Sequence, residues 1–183
     1  MATKSKTAGT TVASKYPEVL FVSETYDRLD RAKKSGYFVL LHGPGGYAKT
    51  RITQDWAKAN YAEDEIYTKT ISRGTRIADL LGGIDLDALN GKNGKPVADQ
   101  YNLENSFMSK KCVILEEALD MDLDGLCVLK DILEKNTRKF RNGNQQFDIK
   151  TEMFIICTNR DPDQLLEEAQ PQDKNAYQAF FER

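Results

Sequence analysis

The run Gly43-Pro44-Gly45-Gly46-Tyr47-Ala48-Lys49-Thr50 constrains this chain more than any other stretch. It follows a short apolar segment, Tyr37-Phe38-Val39-Leu40-Leu41, and opens a segment of helical pattern from Arg51 to Lys58. Strand, glycine loop and helix in that order form the setting of a phosphate-binding loop. Glycines let the backbone curl until successive N–H groups converge on an anion, and the helix N-terminus adds partial positive charge there. Gly43 through Arg51 form the candidate cradle, with Lys49 reaching the terminal phosphates and the Thr50 hydroxyl ligating Mg²⁺. The plain alternative is a Gly/Pro turn followed by a solvated lysine. It leaves the joint spacing of Gly43, Gly45, Gly46, Lys49 and Thr50 unexplained. Ala48 stands where the usual pattern has a second glycine, and the sequence predicts negative φ there, because a Cβ makes positive φ costly.

A chain of 183 residues suits one domain with a substantial core. Its net charge of −2 gives no global basic signature for nucleic acid, although local patches remain open. No apolar run approaches the roughly 20 residues that span a bilayer, and the N-terminus lacks the apolar core of a secretory signal. A cytoplasmic protein without a membrane segment is therefore expected. The three cysteines, Cys112, Cys127 and Cys157, lie in apolar runs with no CxxC pair, and His42 is the one histidine. That pattern reads as buried, reduced thiols rather than a disulfide or zinc site.

Residues 1–15 are small, polar and mildly basic, a disordered tail by composition, and residues 16–183 form the expected domain. Tyr16 to Lys34 suggests amphipathic turns or a short helix ended by Ser35-Gly36. Beyond the glycine loop, Glu65 to Ile71 alternates as a strand, and Thr75 to Leu81 reads as a short helix closed by Gly82-Gly83. Asn90-Gly91 and Asn93-Gly94 predict a loop or small hairpin within residues 84–99, followed by a helical turn over 103–109. Cys112-Val113-Ile114-Leu115 has the continuous apolar character of a central parallel strand, and Leu123 to Lys135 has helical period. Asn142-Gly143 signals a hairpin within Phe140 to Lys150. Met153 to Cys157 is the last strong strand, and the remainder reads as helix broken at Pro171.

Strands alternating with helices imply an α/β fold with a mostly parallel sheet, whose ligands bind at the carboxyl ends of the strands. Three polar clusters fall there: the glycine loop, Glu116-Glu117 and Thr158-Asn159. Of the two acids, one carboxylate would serve the metal and the other would orient or deprotonate an attacking water, since phosphoryl transfer needs mainly positioning and charge neutralisation. Asn159 would hydrogen-bond the γ-phosphate or that water. Taken singly, the acids read as solvated strand ends, and Asn159 as the start of a turn before Asp161-Pro162. Their order after the glycine loop favours the shared site.

GPGGYAKT, CVILEE and IICTN, in that order, resemble the Walker A, Walker B and sensor 1 motifs of the AAA+ ATPases. The alanine before the lysine, the DLLGG segment from Asp79 to Gly83 and the ILEKNTRKF and FIICTNRDP runs look most like the MoxR and dynein-related branch. The resemblance covers about residues 20 to 183. It implies a P-loop NTPase three-layer αβα sandwich that takes ATP and Mg²⁺, with Lys49 and Thr50 at the phosphates and metal. It also implies Glu116 at the metal, where the shorter aspartate is usual, Glu117 as the catalytic acid and Asn159 as the sensor. A homo-oligomeric ring, a hexamer by resemblance, is implied too, with an arginine finger from a neighbour. Ala179-Phe180-Phe181-Glu182-Arg183 resembles the segment carrying that residue, which makes Arg183 the candidate. The family's fifth core strand and helical lid would lie beyond Arg183, so the resemblance reads the core as incomplete at its C-terminus and its sheet as open at one edge.

Three functions share these residues. The first is an ATP-driven motor acting on a protein substrate or adaptor, with residues 82–99 as the substrate-facing loop. The second is a nucleic-acid motor or loader that tracks phosphates through Arg138, Lys139, Arg141 and Lys150 around the 138–150 hairpin. The third is a small-molecule kinase, which predicts an acceptor pocket and a lid arginine cluster that the sequence does not display.

Overall fold

A computed structural model describes residues 22–83, 86–90, 106–134, 139–142 and 145–182. Helix α1 (Ser23–Ser35) is stopped by Gly36, whose φ of 68° supplies the left-handed cap a residue with a Cβ adopts only at a cost. Then come β1 (Val39–His42), α2 (Lys49–Asn60), β2 (Ile66–Thr70), α3 (Ile77–Leu81) and the single turn α4 (Leu86–Leu89). They are followed by β3 (Cys112–Glu116), α5 (Leu123–Leu133), the pair β4 (Lys139–Asn142) and β5 (Gln145–Asp148), β6 (Met153–Thr158), α6 (Pro162–Glu168) and α7 (Pro171–Phe181).

The main sheet has the order β1-β6-β3-β2, and each of its pairings is parallel. Every residue of β6 and the four apolar residues of β3 are buried, as their unbroken apolar runs predict for central strands. Side chains on a strand alternate between faces, and the two halves of the core follow that period. Cys112, Ile114, Met153, Ile155 and Cys157 pack on one face against Tyr26 and Leu29 of α1 and Ile52, Trp56 and Ala57 of α2. Val113, Leu115, Phe154 and Ile156 pack on the other against Leu80 of α3, Leu126 and Leu129 of α5, Leu165 of α6 and Phe180 of α7. The result is helix, sheet, helix: the three-layer α/β sandwich expected for a P-loop NTPase.

The two outer helices of the first layer are tied by a polar bond inside apolar packing. Trp56 is fully buried, and its indole N–H donates to Asp30 at 2.8 Å. On the opposite edge, Lys111 and Glu65 form an ion pair where β2 meets β3. That pairing raises the lysine pKa and lowers that of the carboxyl.

Most expected elements are present with shifted ends. The helix before β1 runs over Ser23–Ser35, and the C-terminal helical stretch divides into α6 and α7, with Pro171 as the first residue of α7. Pro171 suits that place because a helix's first N–H has no partner in any case. Residues 86–89 form a helical turn where a loop or hairpin is expected, and the rest of the 91–99 segment lies outside the described residues. So do the tail at 1–15 and Arg138. The hairpin after α5 is present, with β4 and β5 paired antiparallel, Phe140 opposite Phe147.

Candidate active site

The carboxyl ends of β1, β3 and β6 surround a cleft of about 450 Å³. Gly45, Lys49 and Thr50 line one side of it, Glu116, Glu117 and Asn159 the other. The sequence-predicted residues thus come from three separate stretches and share one cavity.

On the loop side, β1 passes into the glycine run, and the Gly43 N–H still donates to the Thr158 carbonyl at 3.3 Å. The turn then needs positive φ at Gly46 (83°) and at Ala48 (55°). The value at Ala48 corrects the sequence expectation of negative φ. The loop geometry imposes the left-handed conformation on a residue with a Cβ, at a cost of about 1–2 kcal/mol. Ala48 is the N-cap of α2, and its carbonyl accepts from the Ile52 N–H at 2.9 Å, so the first helical turn holds it in place. Thr53, one turn on, donates to the Lys49 and Thr50 carbonyls at 3.1 and 3.0 Å and stiffens the segment that carries both residues.

Lys49 is drawn inward. Its Nζ donates to the carbonyls of Gly43 and Pro44 at 2.7 and 2.9 Å and to Asn159 Oδ1 at 2.6 Å. Gly43 and Pro44 therefore enter the site through their carbonyls and do not line the cleft. Tyr47 does not line the cleft either and is 72% exposed. Arg51 does line the cleft, with its Nε paired to Asp55 at 2.8 Å.

On the acid side, strand alternation places Glu116 on the α2 face with Cys112 and Ile114. The same alternation would send Glu117 to the far face with Val113 and Leu115. Glu117 instead adopts φ 53°, ψ 33°, and this turn brings its carboxylate into the same cleft as Glu116. A non-glycine residue held there stores strain of about 1–3 kcal/mol, a state that persists at sites where the surroundings over-determine it. Those surroundings are visible: the backbone N–H of Asn159 donates to Glu117 Oε2 at 3.0 Å, and Asn159 Nδ2 donates to Oε1. Glu116 accepts from the Thr70 hydroxyl through Oε2 at 3.1 Å. Its other oxygen, Oε1, is buried and has no hydrogen-bond partner among the described residues.

Gln54 and Cys157, which line the cleft, and Thr70, which reaches it only through Glu116, are the site residues that sequence reasoning missed. Gln54 stands one helical turn after Thr50 and lines the cleft, and Thr70 closes β2, so helical period and strand-end position were the signals available. Cys157 is buried in the wall of the cleft, its thiol donating to Thr53 Oγ1 at 3.8 Å. Burial pushes the Cys157 thiol up to about 11 and the Cys112 thiol to about 12, and both stay neutral. All three cysteines are free, as expected, but only Cys112 and Cys157 are buried; Cys127, on α5, is half-buried, which corrects the expectation of burial for all three. Arg183 follows α7 and lies outside the described residues.

A parallel αβα sandwich with a glycine loop, lysine and threonine after β1 and two acids at the end of β3, one strand removed across β6, defines a P-loop ATPase core of AAA+ type. A family model described as AAA domain, dynein-related subfamily, matches residues 38–177, and the chain belongs to that family. Its fold resembles that of a proposed ATPase from Cytophaga hutchinsonii, at 12% identity and a TM-score of 0.58, over 85% of this chain and 49% of that one. It also resembles NtrX from Brucella abortus in complex with ATP, at 12% identity and a TM-score of 0.53, over 88% of this chain and 34% of that one. NtrX in complex with ADP gives 14% identity and a TM-score of 0.57. The chain thus spans half or less of the length of these structures. No curated protein matches the chain. Among the described residues no helix is long and apolar enough to cross a membrane.

Proposed function

We propose that the chain binds ATP with Mg²⁺ in this cleft and hydrolyses it as one subunit of a ring that remodels a protein partner. The observation that supports this reading best is the convergence of Lys49, Thr50, Glu116, Glu117 and Asn159 on one cavity. Among the described residues no group of three or more His, Cys, Asp or Glu could hold a metal by itself. Mg²⁺ characteristically takes one or two protein ligands plus substrate phosphates, and the buried, unpartnered Glu116 Oε1 fits such a role beside the Thr50 hydroxyl. Bound there with ATP, Mg²⁺ would neutralise charge on the phosphates.

The remaining roles belong to the chain. Loop N–H groups and the N-terminus of α2 receive the phosphates, and Lys49 offers its ammonium to the terminal ones. Glu117 orients the attacking water and accepts its proton, and Asn159 sits where it touches both Lys49 and Glu117. A neighbouring subunit would supply the arginine finger, with Arg183 as this chain's candidate, and residues 16–183 would form the nucleotide-binding core after a short tail.

The test compares Lys49→Ala and Glu117→Gln by binding of a fluorescent ATP analogue and by phosphate release. Lys49→Ala should abolish binding. Glu117→Gln should bind like wild type and lower turnover by about 100-fold or more, as loss of a general base does. Unchanged turnover in Glu117→Gln would remove the role given to that residue. The nucleic-acid reading predicts salt-dependent DNA binding that disappears when Arg138, Lys139 and Arg141 become alanine, and lack of binding at low salt would exclude it.

A further inference from the structure

Glu116 occupies the place where the related pattern has an aspartate, and its side chain is longer by one methylene. A longer carboxylate has one more rotatable bond, so its two oxygens need an external restraint to present one of them reproducibly. The structure contains such a restraint. Thr70 and Glu116 are register partners across the parallel β2–β3 pairing, and the Ile71 N–H donates to the Glu116 carbonyl at 2.8 Å, which fixes the two backbones against each other. From that position the Thr70 hydroxyl donates to Glu116 Oε2 at 3.1 Å. The other oxygen is left buried, without a hydrogen-bond partner among the described residues, at the cleft that Thr50 also lines. Glu117 has a separate anchor, since both of its oxygens accept from Asn159. The two adjacent acids are thus held by two different elements, β2 for Glu116 and the end of β6 for Glu117.

We infer that Thr70 is a positioning residue for Glu116: its hydroxyl takes one carboxylate oxygen and so fixes the other as the one offered to a divalent cation carried by the nucleotide. The inference rests on the proposed ATP site. It assigns to β2 a part in metal use that neither the glycine loop nor the paired acids contain. Thr70 touches no phosphate in this scheme; it acts through Glu116 alone. Its contribution should therefore appear in the metal dependence of nucleotide binding and not in metal-free affinity. Outer residues that orient a metal ligand characteristically contribute about 10–100-fold in metal affinity.

The experiment titrates Mg²⁺ into the full chain with a fluorescent ATP analogue, and measures binding of the same analogue in EDTA. Thr70→Val, which keeps the shape and removes the hydroxyl, should raise the half-saturating Mg²⁺ concentration by on the order of 10-fold. Its affinity in EDTA should match wild type. Thr70→Ser, which keeps the hydroxyl, should restore the wild-type Mg²⁺ response. A Mg²⁺ response in Thr70→Val within about twofold of wild type would overturn the inference while leaving the ATP site intact. Equal losses with and without metal, with a lower Tm, would also overturn it, because they mark a purely structural threonine. A wild-type chain that binds no nucleotide at all would overturn the ATP reading, and this inference with it.

Discussion

Lys49 and Asn159 stand 110 residues apart in the chain and meet through a 2.6 Å hydrogen bond from Nζ to Oδ1. A lysine ammonium has three N–H donors, and the other two reach the carbonyls of Gly43 and Pro44. Every donor is thus committed within the protein. A phosphate oxygen that takes up Lys49 must displace one acceptor, and the side-chain amide of Asn159 can rotate away more readily than the two backbone carbonyls. The same amide holds Glu117. Phosphate contact at Lys49, where it occurs, would therefore be linked to release of the Glu117 carboxylate through one side chain.

Asn159→Ala tests that link. Removing the amide frees one Lys49 donor and leaves Glu117 without its side-chain anchor. Nucleotide affinity should hold or rise by up to about 10-fold, the scale of one charge-assisted hydrogen bond, while turnover falls by at least about 10-fold. Titration with a fluorescent ADP analogue and steady-state phosphate release measure the two effects separately. A large loss of affinity would show that Asn159 supports the cradle rather than competing for its lysine.

The strained alanine gives a stability prediction. Ala48 has φ 55°, a conformation that costs a residue with a Cβ about 1–2 kcal/mol and a glycine almost nothing. Glycine in turn adds freedom to the unfolded chain, which offsets about 0.5–1 kcal/mol of the gain. Ala48→Gly should be neutral to stabilising by up to about 1.5 kcal/mol in urea unfolding. Ala48→Val, β-branched at a left-handed position, should destabilise by more than about 1 kcal/mol. Destabilisation by the glycine variant would contradict the strain.

Strands and loop were readable in advance because residue type carries their signal directly. Met153 to Cys157 is apolar at every position, and a strand buried on both faces requires that. The sign of φ carries no such signal where glycine is absent, so Ala48 looked compatible with negative φ, and the turn at Glu117 that redirects its carboxylate had no mark in the sequence. Thr70 shows the same limit in another form. A threonine ending a β-branched strand reads as strand propensity alone, and only the β2–β3 register puts its hydroxyl against Glu116. The pairing of Lys49 with Asn159 likewise depends on β1 and β6 being neighbours, which no local pattern states.

Asp30 and Trp56 provide a check on the packing of α1 against α2. The indole N–H of the fully buried Trp56 donates to Asp30, and Asp30→Ala removes that acceptor. Leaving a buried donor unmatched costs about 1–3 kcal/mol. Asp30→Asn keeps an acceptor oxygen and should lose less. Urea midpoints for the two variants should fall in that order, with the tryptophan fluorescence of the folded state changed more in Asp30→Ala. Equal midpoints would show that the hydrogen bond contributes little to the joining of the helices.

The buried thiols set an alkaline limit on stability. Burial raises Cys157 from 9.0 to about 11 and Cys112 from 9.0 to about 12. Between those values and 9, the folded chain keeps protons that the unfolded chain has released. Stability then falls as pH rises, because the slope follows the protons bound in the unfolded state minus those bound in the folded state. The contribution of each thiol is fully present below pH 9 and lost as pH climbs through its folded value, at up to about 1.4 kcal/mol per pH unit. Urea unfolding at intervals from pH 8 to 11 should show a plateau and then a decline. The double variant Cys112→Ala, Cys157→Ala should have a visibly shallower decline over the same range, whatever its stability at pH 8. Parallel slopes in the two proteins would show that the thiols do not govern the alkaline limb.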